Sequence, residues 1–390
     1  MQDSKQKYLI KIVKDLTEFQ KLEAAWNDLL EHSRRHVPFL CFDWFRIWFK
    51  HFLGGNKLFI ILLYKDGRLV AIAPLMIKRE KFRGMITTKK IELIGNFHSH
   101  VRNVISNNGN KDAMRIHLET ILDFLDRDYT DWDLIELDSM PEEDEALNIW
   151  REILDQRGLK KREYFCFGDW YLDGIDYSGD EYIKKRSKNT RSGVGKKARR
   201  MEKLGHLEFR VGTDREKLDE FLALYQEVRG KSWKYPEKDT AFLNEARRMA
   251  AEKQCLKFGF LFLNGLPIAT LFAIISKGIA YLMEVVYDSE FERFSPGEII
   301  HGEFIKYLID VDKVTEVDAL RGDEPYKKSW TPQRRERKGV LIFNRSLRGQ
   351  ILSVVMNKLL PIIEKHEYAS SLKNKFCGYL KKKQGKGMLG

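Results

Sequence analysis

Cysteine is scarce in this sequence, and no apolar segment is long enough to cross a membrane. The four cysteines lie far apart, form no C-x-x-C pair and have no histidine at metal-ligand spacing. This argues against a disulfide framework and a zinc knuckle and favours a reducing compartment, the cytoplasm. The longest apolar runs, such as residues 268–275, fall far short of the ~18 to 20 residues that span a bilayer. The polar start MQDSKQKYLI lacks the apolar core of a signal peptide, so we expect neither an integral membrane protein nor a Sec-exported one.

The chain is long enough for more than one domain and carries an excess of positive charge. Its 390 residues predict two or three domains at about 150 residues each. Hydrophobic residues make up 43% and aromatic residues 12%, which is enough apolar surface to exclude wholesale disorder. Positive charge is concentrated in residues 184–203, in residues 334–338 and in the tail after Arg345. These clusters favour anionic partners such as phosphates, lipid headgroups or nucleic acid, and each is also compatible with a solvated face.

Hydrophobic periodicity predicts the same order of elements in both halves of the chain. In each half, a strand and helices precede a hairpin, which turns at Asp66-Gly67 in the first half and at Asn264-Gly265 in the second. Self-similarity over roughly 150 residues predicts an internally duplicated α/β fold, because solenoid repeats are far shorter. Between the first strand and the first hairpin, residues 42–52 repeat aromatic side chains at helical spacing, which is typical of a core-packed helix; a sugar-stacking surface is the alternative.

The segment YLMEVVYDSEFERFSPGEIIHGEFIKYLI is the most informative for function. A strand runs into a glycine-containing turn that opens directly onto a helix. Backbone N–H groups near Ser295, Gly297 and Glu298 would therefore point at an anion placed at the positive end of the helix, as suits a pyrophosphate. The alternative is a simple helix start with Ser295 as cap and Pro296 near the first helical position.

The order of these elements is similar to the GNAT (N-acetyltransferase) fold, and the motifs resemble the CelD/BcsL-like acetyltransferases. The motifs are W-x-x-L with FLCFDWFRIWFKHF and DGRLVAIAPL in the first half, then R-x-x-V-x-K-K-x-R-R-M-E-K-L-G, FSPGEIIHGEFIKYL and DALRGDEPYKKSW in the second. The chain is also more distantly similar to the FemAB aminoacyltransferases, which pair two GNAT-like units. The resemblance implies two tandem GNAT-like α/β (α+β) domains, residues 1–175 and 176–345, each a mixed, mostly antiparallel sheet flanked by helices. A basic amphipathic helical tail, residues 346–390, follows.

The resemblance implies acyl transfer from an acyl-CoA, in particular acetyl-CoA, to an amine or hydroxyl. The acceptor would be a small molecule or glycan, such as a sugar or a cell-envelope polysaccharide or lipid precursor, and no cofactor would be bound permanently. In this family the fourth strand binds the pantetheine and the following turn holds the pyrophosphate. The corresponding residues are Val285, Val286 and Tyr287 in the strand, and Arg293, Ser295, Gly297 and Glu298 in the turn. The usual Q/R-x-x-G-x-G/A loop is kept only in part.

The acceptor must lose a proton as it attacks, so we expect a carboxylate or imidazole beside it. Glu284 on the candidate strand is the first choice, with His301 and Asp318 as alternatives. The structural interpretation of Glu284 is a strand carboxylate paired with lysine, and that of His301 is a packed helix histidine. In the segment DALRGDEPYKKSW, Tyr326 is expected to protonate the leaving thiolate and Lys327 to bind phosphate, unless the segment is only a capped helix.

The acceptor-binding residues are expected in two segments. The loop GNFHSHVRNV places His98, His100 and Arg102 after a predicted strand, and Arg321 and Asp323 follow the strand that contains Asp318. Two histidines at i and i+2 without a third ligand do not predict a metal site.

Two other functions remain open from the sequence. The basic residues 184–203 would hold an aminoacyl-tRNA in a FemAB-like aminoacyltransferase. Alternatively, the protein would bind nucleic acid or an anionic membrane without catalysis. No helix-turn-helix, RNP or zinc-finger motif is present, so sequence-specific nucleic acid recognition is not expected. The basic amphipathic tail predicts either peripheral contact with an anionic membrane, at its inner face, or docking on the second domain.

Overall fold

The computed structural model describes residues 8–33, 36–82, 86–107 and 111–361. Most of the predicted tail, residues 362–390, lies outside the described residues. The first half contains β1 (Tyr8–Val13), α1 (Leu16–Gln20), α2 (Glu23–Glu31), α3 (Phe42–Phe52), β2 (Lys57–Leu58), β3 (Ile60–Lys65), β4 (Arg68–Ala73), β5 (Leu75–Phe82), β6 (Ile86–Leu93), β7 (Ile105–Ser106), α4 (Lys111–Asp123), β8 (Leu134–Pro141), α5 (Glu145–Gln156) and β9 (Lys161–Leu172).

The second half repeats this order with longer strands around the centre of the sheet. It contains α6 (Gly179–Lys184), α7 (Lys188–Glu202), β10 (Leu207–Gly212), α8 (Leu218–Gly230), α9 (Thr240–Glu252), β11 (Leu256–Leu263), β12 (Leu266–Ser276), β13 (Ile279–Tyr287), α10 (Pro296–Asp310), β14 (Glu316–Arg321), α11 (Pro325–Trp330), β15 (Gln333–Phe343) and α12 (Leu347–Val354).

Both predicted hairpins are confirmed, and their turns have the same backbone conformation. Asp66 and Gly67 have φ values of 49° and 78°, and Asn264 and Gly265 have φ values of 51° and 80°. Two consecutive residues with positive φ form the type I′ turn, whose twist matches that of the flanking antiparallel strands. β3 pairs with β4 across the first turn, and β11 pairs with β12 across the second. The duplication read from the sequence is therefore present in the fold.

The strands form a four-stranded sheet, β1-β3-β4-β7, and an eleven-stranded sheet, β10-β11-β12-β13-β14-β9-β15-β8-β6-β5-β2. Within the large sheet, β13 pairs with β14 in parallel, and β6 pairs with β8 in parallel. These pairs occupy equivalent places in the two halves, and most of the other neighbours are antiparallel. The fold is thus the predicted mixed, mostly antiparallel α/β arrangement.

The two halves exchange one strand each at the centre of the large sheet. β9, from the first half, pairs with β14 of the second half, and β15, from the end of the second half, lies between β8 and β9. The apolar sequence of residues 339–343 predicts a strand there, but β15 begins earlier, at Gln333. A sequence boundary at residue 175 therefore does not divide this sheet into two separate sheets.

The aromatic helix α3 is buried between the two halves. Trp44 and Trp48 are 1% and 3% exposed, which agrees with core packing and leaves no face for sugar stacking. The Trp44 ring contacts Phe242 of α9 edge to face, with ring centroids 5.3 Å apart. At the edge of this contact, Lys50 pairs with Glu245 at 2.5 Å. Burying several large aromatic rings across the interface fixes α9, and with it the loop before α9, relative to the first half.

Candidate active site

The candidate site lies where β13 and β14 separate. The two strands pair in parallel only from Ile279 opposite Glu316 to Tyr281 opposite Asp318. Beyond Tyr281, β13 has no partner on that side among the described strands, although it continues to pair with β12 on the other side. The register with β12 shifts at Met283, an extra residue that makes a β-bulge. Unpaired strand edges need hydrogen-bond partners, so this opening is suited to an extended amide-containing ligand.

A cavity of about 420 Å³ fills this opening and is lined by both halves of the chain. The residues it draws from the first half are Phe97, His98 and His100. The polar residues it draws from the second half are Arg229, Lys234, Tyr235, Glu237, Lys238, Arg247, Glu284, His301, Arg321, Glu324, Tyr326, Lys327 and Trp330. Eight of the 17 predicted site residues therefore lie around one cavity, although they come from distant parts of the sequence: His98, His100, Glu284, Val285, His301, Arg321, Tyr326 and Lys327.

Glu284 lines the cavity and is held by two cations. Its Oε1 accepts from Arg229 at 2.6 Å and from Lys234 at 3.1 Å, and its Oε2 accepts from the Tyr225 hydroxyl at 2.5 Å. Burial acts to raise the pKa of Glu284, but Lys234, Tyr225 and Arg229 outweigh it and hold the pKa below its usual range. The ion-paired interpretation of Glu284 therefore describes its surroundings, since both of its carboxylate oxygens already accept hydrogen bonds.

His301 lies one turn into α10, faces the cavity and is buried. Its Nδ1 is 2.7 Å from the carbonyl oxygen of Gly297. The ring stacks on Trp330, with centroids 5.6 Å apart and planes 12° apart, and meets Tyr326 edge to face at 5.4 Å. Burial lowers the pKa of His301 to about 4, so the ring is neutral near pH 7. This is an oriented, uncharged imidazole at the wall of the cavity.

Tyr326 and Lys327 lie side by side on α11 and have different surroundings. Burial raises the pKa of Tyr326, so its phenol stays protonated and can donate a proton. Lys327 is buried, and its Nζ donates to the carbonyl oxygens of Leu320 and Arg321 at 3.4 and 2.5 Å and pairs with Glu324 at 3.1 Å. The three ammonium hydrogens are thereby used within the fold, so the structure places Lys327 as a support for β14 beside the cavity.

Asp318 lies beneath the cavity and does not line it. It is fully buried, pairs with Arg335 at 2.5 Å, and accepts from the backbone N–H of Leu320 at 2.7 Å. Arg335 also pairs with Asp169, and the buried Arg337 pairs with Asp169 as well. Burial and the neighbouring Asp169 carboxylate raise the pKa of Asp318 to about 7. This network joins β14, β9 and β15, so Asp318 supports the strands that form the site.

The predicted donor strand presents alternate residues to the cavity and to the core. Val285 lines the cavity, whereas Val286 is fully buried against the opposite face. Tyr287, at the end of the strand, packs against Trp233 with ring centroids 4.2 Å apart and ring planes tilted by 39°. The period-two alternation of a strand explains why the three predicted residues do not share one surface.

The predicted turn before α10 is present. A short 3₁₀ helix, Ser289–Phe294, contains Arg293 and leads to Ser295, which has a φ of 54° and makes no side-chain cap hydrogen bond. Glu298, in the first turn of α10, pairs with Lys197 of the basic helix α7 at 2.6 Å. A Cβ atom at Gly297 would lie 3.0 Å from the Tyr287 ring. The positive end of α10 and the basic helix thus lie together, as an anion would require.

The predicted acceptor residues divide into two groups. His98, His100 and Arg321 line the cavity, and His98 has its Nε2 3.1 Å from Asp239. Arg102 is turned away and pairs with Asp138 at 2.5 Å. Asp323 is also outside the cavity lining, where it accepts from Arg334 at 2.7 Å and from the Trp170 indole at 3.0 Å.

A second charged cluster at the cavity was not found from the sequence. Arg247 pairs with Glu237 at 2.5 Å, and both contact the Tyr225 hydroxyl, at 3.2 and 2.8 Å. Together with Arg229 and Lys234, these residues surround Glu284. The only local sign in the sequence is the mixed basic and aromatic loop RGKSWKYPEKD, which predicts a turn but not its position over β13.

The described residues include no group of three histidine, cysteine, aspartate or glutamate residues placed to hold a metal ion. They also include no helix with the length and apolar character needed to cross a membrane.

Comparison with known proteins supports the fold. Residues 188–328, which include β13, α10 and β14, match the acetyltransferase (GNAT) domain family. FemX has a similar structure, with a TM-score of 0.58 and 14% identity over 87% of this chain and 100% of FemX. So does a conserved protein of unknown function from Bacteroides thetaiotaomicron VPI-5482, with a TM-score of 0.52 and 13% identity over 86% of this chain and 100% of that chain. A tandem GNAT protein from the clavulanic acid biosynthesis pathway has a TM-score of 0.42 and 11% identity over 87% of this chain and 100% of its own.

No curated protein sequence matches the chain. At the identities of the solved structures, the similarity shows a shared fold and carries no substrate with it. Residues 188–328 therefore resemble a GNAT-type acetyltransferase domain, and the chain as a whole shares its fold with FemX and with the Bacteroides thetaiotaomicron protein. The more specific CelD/BcsL-like assignment stays a prediction.

Proposed function

We propose that the protein is an acyltransferase that moves an acyl group, in particular acetyl, from acyl-CoA to an amine or hydroxyl. The observation that carries this proposal is the separation of β13 and β14 inside the segment that matches the GNAT domain family. This opening leaves backbone groups of residues 282–287 free for an extended ligand and lies beside the positive end of α10. A pantetheine chain has amide groups suited to such a strand edge, and its pyrophosphate is suited to a helix N-terminus.

In the proposed reaction, the acceptor nitrogen or oxygen attacks the thioester carbonyl carbon, and the carbon–sulfur bond breaks. His301 takes the acceptor's proton at Nε2, because its Nδ1 is already used as a donor to Gly297. Tyr326, whose ring contacts His301, returns a proton to the thiolate that leaves. Glu284 keeps Arg229 and Lys234 in place at the cavity wall and is the alternative base.

For the acceptor we propose a sugar or a cell-envelope polysaccharide or lipid precursor. The support is a wall of the cavity that combines histidines from the first half with one aromatic residue, Tyr235, from the loop before α9. Tyr235 lines the cavity and is 89% exposed, so its ring face is free to stack on a sugar ring. His98 and His100 face it from the first half.

The test of the donor is isothermal titration with acetyl-CoA and with CoA. Wild type is expected to bind both, and Gly297→Trp is expected to lose binding, because the indole would fill the space beside Tyr287 at the start of α10. Gly195→Trp is the matched control, since a Cβ atom at Gly195 meets no other atom within 4 Å. A folded wild type that binds neither acetyl-CoA nor CoA would overturn the proposal. Binding would justify an acceptor screen that begins with amino sugars.

A FemAB-like aminoacyltransferase is the second candidate, and the position of α7 favours it. The basic residues of α7 lie next to the start of α10, where Lys197 pairs with Glu298, and the whole chain shares the fold of FemX. The same helix would serve an anion-binding protein without catalysis. Competition between aminoacyl-tRNA and acetyl-CoA separates these functions: transfer from aminoacyl-tRNA supports the second candidate, and salt-dependent tRNA binding without turnover supports the non-catalytic one.

We also propose that the C-terminal region brings the protein to the inner, anionic face of a membrane. α12 exposes Leu347, Ile351 and Val354 on one face, with 78%, 48% and 49% of each residue accessible. The sequence that follows is basic and ends in KKKQGKG plus three residues. Apolar insertion together with basic residues is the combination that anchors peripheral proteins. Cosedimentation with phosphatidylglycerol vesicles is expected for wild type and not for Ile351→Glu/Val354→Glu; equal binding of both would overturn the proposal.

A further inference from the structure

Arg321 is a half-buried cation that lines the cavity, and among the described residues no carboxylate lies within ion-pair distance of it; the nearby Asp138 pairs with Arg102 instead. The other buried or half-buried cations of the cavity each have a carboxylate: Arg229 and Lys234 have Glu284, Arg247 has Glu237, and Lys327 has Glu324. The guanidinium of Arg321 lies over the Phe167 ring, 3.9 Å from its centroid, and its buried Nε has no hydrogen-bond partner.

The backbone that presents Arg321 is held in an unusual conformation. The pairing of β14 with β9 shifts by one residue between Asp318 and Arg321, and Leu320, at the shift, has a φ of 57°. A leucine in the left-handed region is strained and persists only where neighbouring contacts impose it. Asp318 accepts from the Leu320 N–H at 2.7 Å, and Lys327 donates to the carbonyl oxygens of Leu320 and Arg321. The bulge therefore points the arginine into the cavity.

His100 adds a second polar atom without a partner. It lines the same cavity, and its Nδ1 is buried with no hydrogen bond. Burial, and next the nearby Arg321, lower the pKa of His100 to about 3, so the ring is neutral and can donate one hydrogen bond. The half-buried guanidinium has no carboxylate within ion-pair distance and the ring nitrogen of His100 has no hydrogen bond, so both carry desolvation costs that an anionic ligand would relieve.

We propose that Arg321 and His100 form a subsite for an anionic group of the acceptor, either a carboxylate or a phosphate. The proposal rests on the proposed function in that it names the class of acceptor. Two parallel N–H donors of the guanidinium suit either group. The subsite is separate from the donor's expected pyrophosphate position at the start of α10, so the two can be tested apart.

The experiment titrates inorganic phosphate and, separately, acetate into the full chain at constant ionic strength. Wild type is expected to bind one of the two anions saturably, and the preferred anion identifies phosphate or carboxylate. Arg321→Met is expected to weaken that binding about 30-fold or more, because the charged partner is lost from a desolvated site. Lys328→Met, which removes an exposed positive charge on α11 outside the cavity lining, is the matched control and is expected to bind like wild type.

Thermal unfolding without added anion shows whether Arg321→Met folds, and we expect its midpoint to stay close to that of wild type because the guanidinium loses a contact with the Phe167 ring but no ion pair. Arg321→Lys should restore part of the anion binding. Equal anion binding by wild type and Arg321→Met would overturn the subsite. So would acetyl-CoA binding by a wild type that binds neither anion, and that result would leave the proposed donor intact. Anion binding through Arg321 without acetyl-CoA binding would instead support the subsite and reject the donor.

Discussion

The Nδ1 atom of His301 lies 2.7 Å from the carbonyl oxygen of Gly297, four residues earlier on the same helix. A carbonyl oxygen only accepts, so Nδ1 carries the hydrogen and the lone pair of the neutral ring is on Nε2. The stacked Trp330 and the edge contact with Tyr326 fix the plane of the ring. One hydrogen bond thereby selects the tautomer that a general base needs.

His301→Asn is expected to lower kcat by about 10²- to 10⁴-fold and to leave acetyl-CoA binding unchanged. The asparagine amide can still donate to Gly297, but it has no basic nitrogen in the place of Nε2. Steady-state kinetics and titration with acetyl-CoA measure the two effects. His206→Asn, at an exposed histidine outside the cavity, is the control. If His301→Asn keeps its activity while Glu284→Gln loses it, Glu284 is the base.

Glu284→Gln is expected to destabilise the protein by about 1–3 kcal/mol, because Arg229 and Lys234 lose the charge that both contact. Urea unfolding of the wild type, the single variant, Arg229→Met and the double variant measures this coupling. The double variant is expected to lose less than the sum of the two single losses. Additive losses would show that the ion pair does not contribute to folding.

The buried histidines predict loss of stability on acidification. His301 has a folded pKa of about 4 against an ordinary value of 6.5, so the unfolded chain binds a proton that the folded chain does not. Above pH 6.5 this histidine does not lower the free energy of unfolding. As the pH falls towards 4, the free energy of unfolding decreases by about 3 kcal/mol in total. The difference in unfolding free energy between wild type and His301→Asn should narrow by about that amount between pH 7 and pH 4. A constant difference would contradict the prediction.

Asp318 is expected to act on the anion subsite through the backbone. Asp318→Asn keeps an oxygen that can accept from Leu320, whereas Asp318→Leu does not. Since such a hydrogen bond contributes about 1 kcal/mol, Asp318→Leu should weaken anion binding about fivefold and Asp318→Asn should restore it. Arg335 still pairs with Asp169 and Glu316 in both variants. Equal anion affinity in the two variants would mean that the bulge does not depend on Asp318.

The exchange of β9 and β15 predicts that the two halves do not fold alone. Residues 1–175 would lack the strand between β8 and β9, and residues 176–361 would lack the strand beside β14. We expect each fragment to be insoluble or expanded when expressed alone and the two to associate when coexpressed. Size-exclusion chromatography and circular dichroism measure this. A compact, cooperative fragment 176–345 would instead confirm the predicted boundary.

Local features of the fold could be predicted from the sequence, and long-range features could not. The turns at Asp66-Gly67 and Asn264-Gly265 follow from residues that tolerate positive φ, and the helix start after Ser295 follows from proline and glycine. By contrast, the hydrophobic periodicity of residues 16–30 predicts a single helix, which the structure divides into α1 and α2. The end of β15 was predicted, but its place between β8 and β9 depends on partners about 200 residues away, which periodicity does not report.

The same limit applies to the site. His301 and Glu284 were recognised because of the strand, turn and helix around them, but the partners of Glu284 lie on α8 and in the loop before α9. Arg102 and Asp323 were grouped with the acceptor residues by their position in the sequence, and ion pairs with Asp138 and Arg334 hold them elsewhere. Side-chain direction at a bulge or loop is set by tertiary contacts, so a residue's neighbours in sequence do not determine whether it faces the cavity.

The position of β15 means that the centre of the large sheet can be completed only late in synthesis on the ribosome. Glu136 in β8 pairs with Leu341, so the edge of β8 stays uncovered until almost the whole of the described chain has been synthesised. At about 5–20 residues per second, that interval lasts roughly 10–40 s. During it, β8 and β9 present open edges that other nascent chains could pair with. Retention by a holding chaperone until residue 343 has emerged would follow directly from this strand order.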